Sequence, residues 1–329
     1  MDWFRAEGRD YPWRNNADPY AVFVSEAMLQ QTQIATVLGK GYFSRWMRAF
    51  PTWEALAAAE ETEILKEWEG LGYYNRARNL QKAAKRVTEE FGGRLPEDLE
   101  TILSLPGVGR YTAGAVLSFA FNRRAPIVDG NVVRVFSRLI SYSEPVDTTG
   151  AARLFWGLAD DLTPGDEPRI YNSAIMELGQ RICLRSSPEC GICPVQVWCL
   201  AHSQGAVEAI PQKKRRAETL LREERVLFSL REGRIFLCPE TGSRRKGLWR
   251  LPEISGAASE DLVEVLRFDY PITRYRVTLI VFINEGASSS FEKEISEGGW
   301  FAAGEGEMLP PLGSPYRKVL RMMLLRGMI

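Results

Sequence analysis

The chain has 329 residues, 45% hydrophobic and 26% charged, a length and balance that suit two ordinary globular domains. Basic and acidic residues match at 42 each, so no overall positive field marks a nucleic-acid partner, and any such surface must be local. No apolar run approaches a membrane span and the opening MDWFRAEGRD lacks a signal peptide's apolar core, so no membrane contact and a cytoplasmic location are expected.

In chain order, residues 2–16 combine aromatics with arginines and include Tyr11-Pro12-Trp13-Arg14. Asp18-Pro19 is a helix-start signal, and Tyr20–Val37 reads as the helix it opens. Val22, Phe23, Ala27 and Ile34 recur near helical spacing and bury one face. Glu26 sits among Val24, Met28 and Leu29. Apolar surroundings disfavour the charged form of a carboxyl, which suits a proton donor near neutral pH; a glutamate rotated to solvent is the plain alternative. Gln30-Gln31-Thr32 is polar and uncharged, able to meet bases or to cover surface. Helices are predicted over 42–50, 53–59, 61–69 and 75–91. Between the last two lies Gly70-Leu71-Gly72-Tyr73-Tyr74, a glycine-framed turn with two aromatics. Arg76, Arg78, Lys82, Lys85 and Arg86 follow, several on one helix face. Aromatics beside a basic face can stack on bases and neutralise phosphates; a solvated helix face is the alternative.

Leu99–Leu105 and Tyr111–Phe121 read as the arms of a helical hairpin around Pro106-Gly107-Val108-Gly109. Glycines let the backbone approach a ligand, and the following helix start offers unpaired N–H groups and a positive dipole end, a combination suited to phosphate. Asp129 then lies between Ile127-Val128 and Gly130-Asn131. A carboxylate near a phosphate grip points to chemistry on a nucleic acid, and an aspartate capping the next helix accounts for it equally well. Helices over 131–141, 151–161 and 170–183 follow, the first bearing Arg134 and Arg138.

Cys183, Cys190, Cys193 and Cys199 come next, with six, two and five residues between them, while Cys238 stands apart. Four soft ligands in so short a loop can close a tetrahedral zinc or a cubane iron–sulfur site, and the spacing leaves the metal open. Arg181 and Arg185 flank the first cysteine, within reach of phosphates. Residues 201–221, with the basic run Lys213-Lys214-Arg215-Arg216, read as a linker. The character then turns to β: a hairpin of 225–230 and 234–238 around Glu232-Gly233, a β-branched strand over 275–284, and a closing helix over 315–325. Cys238 reads as a small buried apolar residue.

Several of these stretches together resemble one family: YPWR (11–14), SEAMLQQT (25–32), GLGYYNRARNL (70–80), LPGVGRYTAGA (105–115), VDGNVVRV (128–135), the cysteine spacing and LWRLPE (248–253). The chain looks like a MutY-type adenine DNA glycosylase of the helix-hairpin-helix superfamily, kin to endonuclease III, over nearly its whole length. The fold this implies is a mainly α catalytic region over 1–200, made of a six-helix domain and an iron–sulfur domain. A linker over 201–221 and a small α+β MutT-like domain over 222–329, a Nudix fold without hydrolase activity, would follow. The partner implied is double-stranded DNA carrying adenine opposite 8-oxoguanine or guanine, and the protein is expected to be a bacterial-type, nucleoid-associated monomer.

Carried over residue by residue, Glu26 would protonate the flipped adenine, and Asp129 would stabilise the charge developing on the sugar, with Tyr111 and Asn131 orienting the pair. The four cysteines would hold a [4Fe-4S] cluster. Trp13, Arg14, Leu29 and Ser173 would line the base pocket, and Gln31 and Tyr73 would fill or wedge the base stack. Gly107, Gly109, Arg76, Arg78, Arg185 and Arg274 would contact DNA. Tyr111 stands where lyase relatives carry a lysine, and a phenol cannot form a Schiff base, so a monofunctional enzyme is expected. Two positions depart from the family: Ile272-Thr273-Arg274 replaces a Phe-Ser-His stretch, and Ser173 replaces a Glu or Gln. They put opposing-base preference and base choice in question, and leave a thymine-mismatch glycosylase as the alternative.

Overall fold

The helix-start signals operate as written. Asp18 accepts from the N–H groups of Tyr20 and Ala21 at 3.0 and 3.3 Å, with Pro19 in the first turn. Asp98 caps through Thr101 N–H at 2.8 Å and Thr148 through Ala151 N–H at 3.1 Å. Each such cap satisfies donors the helix leaves unpaired and contributes about 1 kcal/mol. These starts belong to a computed structural model that describes residues 1–14, 17–214, 218–242, 246–254, 262–272, 274–284, 297–303 and 309–328. Thr273, Arg215 and Arg216 lie outside the described residues.

By its internal contacts the chain forms two compact units, Met1–Ala58 with Asn79–Arg215, and Ala59–Arg78 with Arg216–Ile329. In chain order the helices are α1 (Asp2–Glu7), α2 (Pro19–Leu29), α3 (Ile34–Gly39), α4 (Tyr42–Ala49), α5 (Trp53–Ala58), α6 (Glu61–Glu67) and α7 (Asn75–Phe91). They continue with α8 (Leu99–Ser104), α9 (Arg110–Phe121), α10 (Gly130–Leu139), α11 (Thr149–Leu162), α12 (Pro168–Arg181) and the single turn α13 (Leu200–Ser203). Among the described residues no helix is long and apolar enough to cross a membrane.

The expected single helix over Tyr20–Val37 is two helices. Gln31 takes a left-handed backbone, φ +58°, which no helix interior tolerates, so α2 stops at Leu29 and α3 starts anew at Ile34. The short helix α1 was not anticipated. In the first unit α9 packs on α2 and α12, and α10 packs on α12. At that last contact Gly179 is indispensable: a Cβ there would lie 2.7 Å from Asn131 Cβ.

The second unit contains β1 (Leu220–Leu227), β2 (Leu230–Arg231), β3 (Arg234–Pro239), β4 (Trp249–Arg250), β5 (Leu262–Ile272), β6 (Tyr275–Asn284), β7 (Gly299–Ala302) and α14 (Ser314–Leu325). One sheet has the order β1-β6-β5, with β1 parallel to β6 and β5 antiparallel to it; β3 joins β2, β4 and β7 in the other. The strand expected over 225–230 is a correction: β1 runs over Leu220–Leu227 beside β6, and the short hairpin is formed by β2 and β3. Its start falls in the segment read as a linker, because Arg222-Glu223-Glu224-Arg225 alternates poorly and hides a strand whose first half is exposed. The strand β5 was also not anticipated. A core of Val226, Ile235, Leu237, Leu279, Val281, Val319 and Met323 lies between these sheets and α14. Residues 59–78 belong here through Tyr74 Oη and Lys66 Nζ, which donate to the carbonyls of Leu312 and Leu309 at 3.3 and 3.2 Å, and through Glu69, which accepts from Leu312 N–H at 3.3 Å.

Candidate active site

The first unit encloses a cavity of about 950 Å³, large enough for a base and its sugar. Its walls include Trp13 and Arg14 from the N-terminal segment, Glu26 and Leu29 from α2, Tyr111 from α9, Asp129 and Asn131 at the start of α10, and Ser173 from α12. Residues spread over 161 positions thus meet in one place.

Glu26 faces this cavity rather than solvent and is 5% exposed. Burial raises its carboxyl from 4.5 to about 7; the Tyr111 hydroxyl, which is hydrogen-bonded to it, and Arg14 oppose the rise, and the charge of Asp129 adds to it. At neutral pH the group holds or releases a proton with equal ease, the condition for a general acid. Burial and the two neighbouring carboxylates push the Tyr111 phenol well above its ordinary value, so it stays a donor.

Asp129 is the N-cap of α10. Its Oδ1 accepts from the N–H groups of Asn131 and Val132 at 2.9 and 2.7 Å, and its Oδ2 from Asn131 Nδ2 at 2.7 Å. Burial pushes its carboxyl up, opposed by those donors and by Arg134. Every hydrogen bond it receives favours the ionised form, as does the positive end of α10. One cavity therefore presents a carboxyl raised by burial to about 7 and a second, also raised by burial, whose charged form is favoured by three hydrogen-bond donors.

Behind Asp129 runs a polar chain absent from the sequence reading. Asn131 Oδ1 accepts from Arg134 Nη2 at 2.9 Å, and Arg134 also donates to the carbonyls of Gly179 at 2.5 Å and Cys183 at 2.7 Å. One turn further on, the fully buried Arg138 donates to Cys183 Sγ at 3.2 Å and to the carbonyls of Leu184 and Ile210 at 2.6 and 2.9 Å.

Cys183, Cys190, Cys193 and Cys199 line one pocket with Val135, Leu139, Leu178 and Ile182. None is in a disulfide. Four soft donors around apolar walls, with one guanidinium aimed at a sulfur, fit an anionic metal–thiolate group. Among the described residues no three His, Cys, Asp or Glu side chains are grouped as ligands of a single ion.

The remaining predicted residues are not gathered in the cavity. Gln31 is exposed at the break between α2 and α3. Gly107 and Gly109 lie in the exposed turn between α8 and α9; Gly107 has φ +78°, and a Cβ there would strike Asn79 at 2.7 Å. No side chain caps α9. In the second unit Tyr73 is 56% exposed with φ +47°. Arg76, placed by spacing on a basic face, is turned inward: it donates to the carbonyls of Leu71 and Gly72 at 3.1 and 3.2 Å and lies over the rings of Trp68 and Tyr73. Arg78 is paired with Glu61 at 2.7 Å. Arg185 is exposed in the cysteine loop, and Arg274 is exposed beside Tyr275.

Glu177 was missed. It lies buried beside the cavity, and its setting between Met176 and Leu178 is the same signal that marked Glu26.

A hairpin with an uncapped helix start, ringed by helices and joined to a cysteine loop, defines the endonuclease III class of helical fold. A solved non-covalent endonuclease III–DNA complex shares it with a TM-score of 0.52 and 25% identity, over 62% of this chain and 93% of that one. The family model for the HhH-GPD superfamily of base excision DNA repair proteins matches residues 24–158, and the chain belongs to that superfamily. A solved thermostable thymine-DNA glycosylase is 32% identical, with a TM-score of 0.56, over 62% of this chain and 93% of its own. The adenine DNA glycosylase of Rattus norvegicus is 45% identical over 223 residues, 64% of this chain and 43% of the rat protein. The chain thus spans less than half the length of that relative.

Proposed function

We propose that the chain is a monofunctional adenine DNA glycosylase of base excision repair, acting on double-stranded DNA with adenine opposite 8-oxoguanine or guanine. One observation carries the reading: Glu26 and Asp129 line the same cavity, both raised by burial, and Asp129 alone receives the backbone and Asn131 donors at the start of α10. The likeness to the rat adenine DNA glycosylase supports the choice of base.

In this reading the adenine nucleotide is flipped into the cavity against Trp13, Arg14, Leu29 and Ser173, while Gln31 and Tyr73 occupy the gap it leaves. Glu26 gives its proton to a ring nitrogen of the base. The glycosidic bond then breaks with its electron pair going to the base, and Asp129 stabilises the cation left at the sugar carbon until water adds. Tyr111 and Asn131 hold the two carboxyl groups. The uncapped start of α9 beyond Gly107 and Gly109 would grip a phosphate, with Arg78, Arg185 and Arg274 as further DNA contacts. Cys183, Cys190, Cys193 and Cys199 would hold a [4Fe-4S] cluster, whose thiolate bonds would cross-link the loop that follows α12. Residues 222–329 are read as a MutT-like domain without hydrolase activity, and the protein as a monomer.

The test is incubation with duplexes bearing A opposite 8-oxoguanine, A opposite G and T opposite G, followed by alkali. Strand breakage at the first two, and only after alkali, is the expected result. A thymine-mismatch activity is the second reading, favoured by the 32% identity to the thymine-DNA glycosylase; breakage at T opposite G alone would establish it.

A further inference from the structure

Glu177, on α12, has no exposed surface. Its Oε2 accepts from Arg14 Nη1 at 2.7 Å, and its Oε1 from Arg181 Nη1 at 3.0 Å and the Arg9 backbone N–H at 2.8 Å. One fully buried carboxylate therefore pairs with two guanidinium groups whose side chains stay 23% and 24% exposed. Arg14 is held further by its own surroundings: its guanidinium lies 4.6 Å from the Tyr11 ring centroid and 5.2 Å from that of Phe4, and it donates to the Arg9 carbonyl at 2.8 Å. Arg181 lies 5.5 Å from the Trp3 ring centroid and donates to the Glu7 carbonyl. Glu177 fastens the segment from Trp3 to Arg14 to α12 together with Arg181, which reaches Glu7 and Trp3, and the Arg5–Glu167 pair, and the segment's residues form a wall of the cavity containing Glu26.

We propose that Glu177 is a positioning residue, which clamps the N-terminal segment along the cavity wall and neutralises the charge that Arg14 presents to Glu26. The charged and titratable groups acting on Glu26 are Tyr111 from α9, Asp129 at the start of α10 and Arg14 from the N-terminal segment. Four other arginines line the cavity among the described residues: Arg5 pairs with Asp2 and Glu167, Arg9 is exposed to solvent, and Arg134 and Arg169 are engaged elsewhere. Arg134 is bound to Asn131, Gly179 and Cys183, and Arg169 donates to the Ala120 carbonyl at 2.8 Å. Arg14 is the cation whose influence depends on a buried partner. Left bare, it would draw Glu26 toward the carboxylate and strip the proton that departure of the base requires. With Glu177 beside it, burial prevails and the proton stays.

This inference rests on Glu26 being the acid, so its test has a readout independent of catalysis. The full chain labelled with 13C at the glutamate carboxyl carbon is titrated by NMR, the Glu26 signal being assigned by its loss in Glu26→Gln. Glu177→Gln is expected to lower the Glu26 midpoint by roughly one pH unit, and Glu177→Asp to leave it near the native value. Arg14→Gln, which removes the cation, is expected to move the midpoint upward and keeps the test open should Glu177→Gln not fold. In single-turnover excision, Glu177→Gln should match the native rate on the acid side and fall off at lower pH. An unshifted midpoint in folded Glu177→Gln or in Arg14→Gln overturns the proposal, as does a rate reduced equally at every pH. A native protein that leaves adenine opposite 8-oxoguanine intact refutes the glycosylase reading instead, and the NMR result stands apart from it.

Discussion

Asp129 raises the proton affinity of Glu26: the two carboxyl groups line one cavity, and the charge of the first adds to burial in lifting the second to about 7. The excision rate should therefore be flat below that value and fall as pH rises through it. Glu26→Gln should abolish excision. The same substitution should change stability with a defined sign. A carboxyl whose folded value lies above its unfolded 4.5 contributes stability at low pH that is lost as pH rises through about 7. At about 1.4 kcal/mol per unit, the native protein gives up about 3 kcal/mol over that window relative to Glu26→Gln. Thermal melts at pH 5 and pH 8 check this: the variant should gain on the native protein at pH 8.

Asp129→Asn separates chemistry from capping. Asparagine caps helices about as well as aspartate, so the melting temperature should move by a few degrees at most. The charge proposed to stabilise the sugar is gone, and the barrier should rise by several kcal/mol, a rate loss of roughly a thousandfold or more in single-turnover assays. Persistence of the native rate would remove Asp129 from the mechanism.

Arg134→Gln should damage two properties together. It breaks the hydrogen bonds to Asn131 Oδ1 and the Cys183 carbonyl, which connect the Asp129 cap to the cysteine loop. Slower excision and a lower iron content per chain, measured on the same preparation, are the expected pair. A normal iron content would confine the role of Arg134 to the cap.

Tyr111 has its hydroxyl bonded to Glu26 and 3.8 Å from Met176 Sδ, and no amine takes its place. Borohydride should trap no covalent enzyme–DNA adduct on adenine-containing duplexes. A trapped band from the native protein would show lyase chemistry.

The two carboxyl groups of the cavity were legible because their signals are local. Glu26 stands in an apolar run, and Asp129 precedes a helix whose first N–H groups need a partner. The break at Gln31 was not legible, since a left-handed backbone leaves no periodicity behind. Arg76 misled for a related reason: helical spacing places it with Arg78, but the preceding turn curls its carbonyls back and the guanidinium follows them inward. Strand β5 escaped because only one of its eleven positions is buried, which blurs the alternation of a strand. The role of Glu177 required three donors from segments far apart in the chain, and no window of sequence contains them.

Helix α10 begins at the cavity lined by Glu26 and Asp129 and reaches the cysteine pocket within its ten residues. The consequence is genetic. Lesions at 131, 134 and 138 resist sorting by location, because the hydrogen bonds of Asn131, Arg134 and Arg138 run from the Asp129 cap to Cys183. Under the proposed function, a screen scoring base removal and another scoring metal retention would share those three positions.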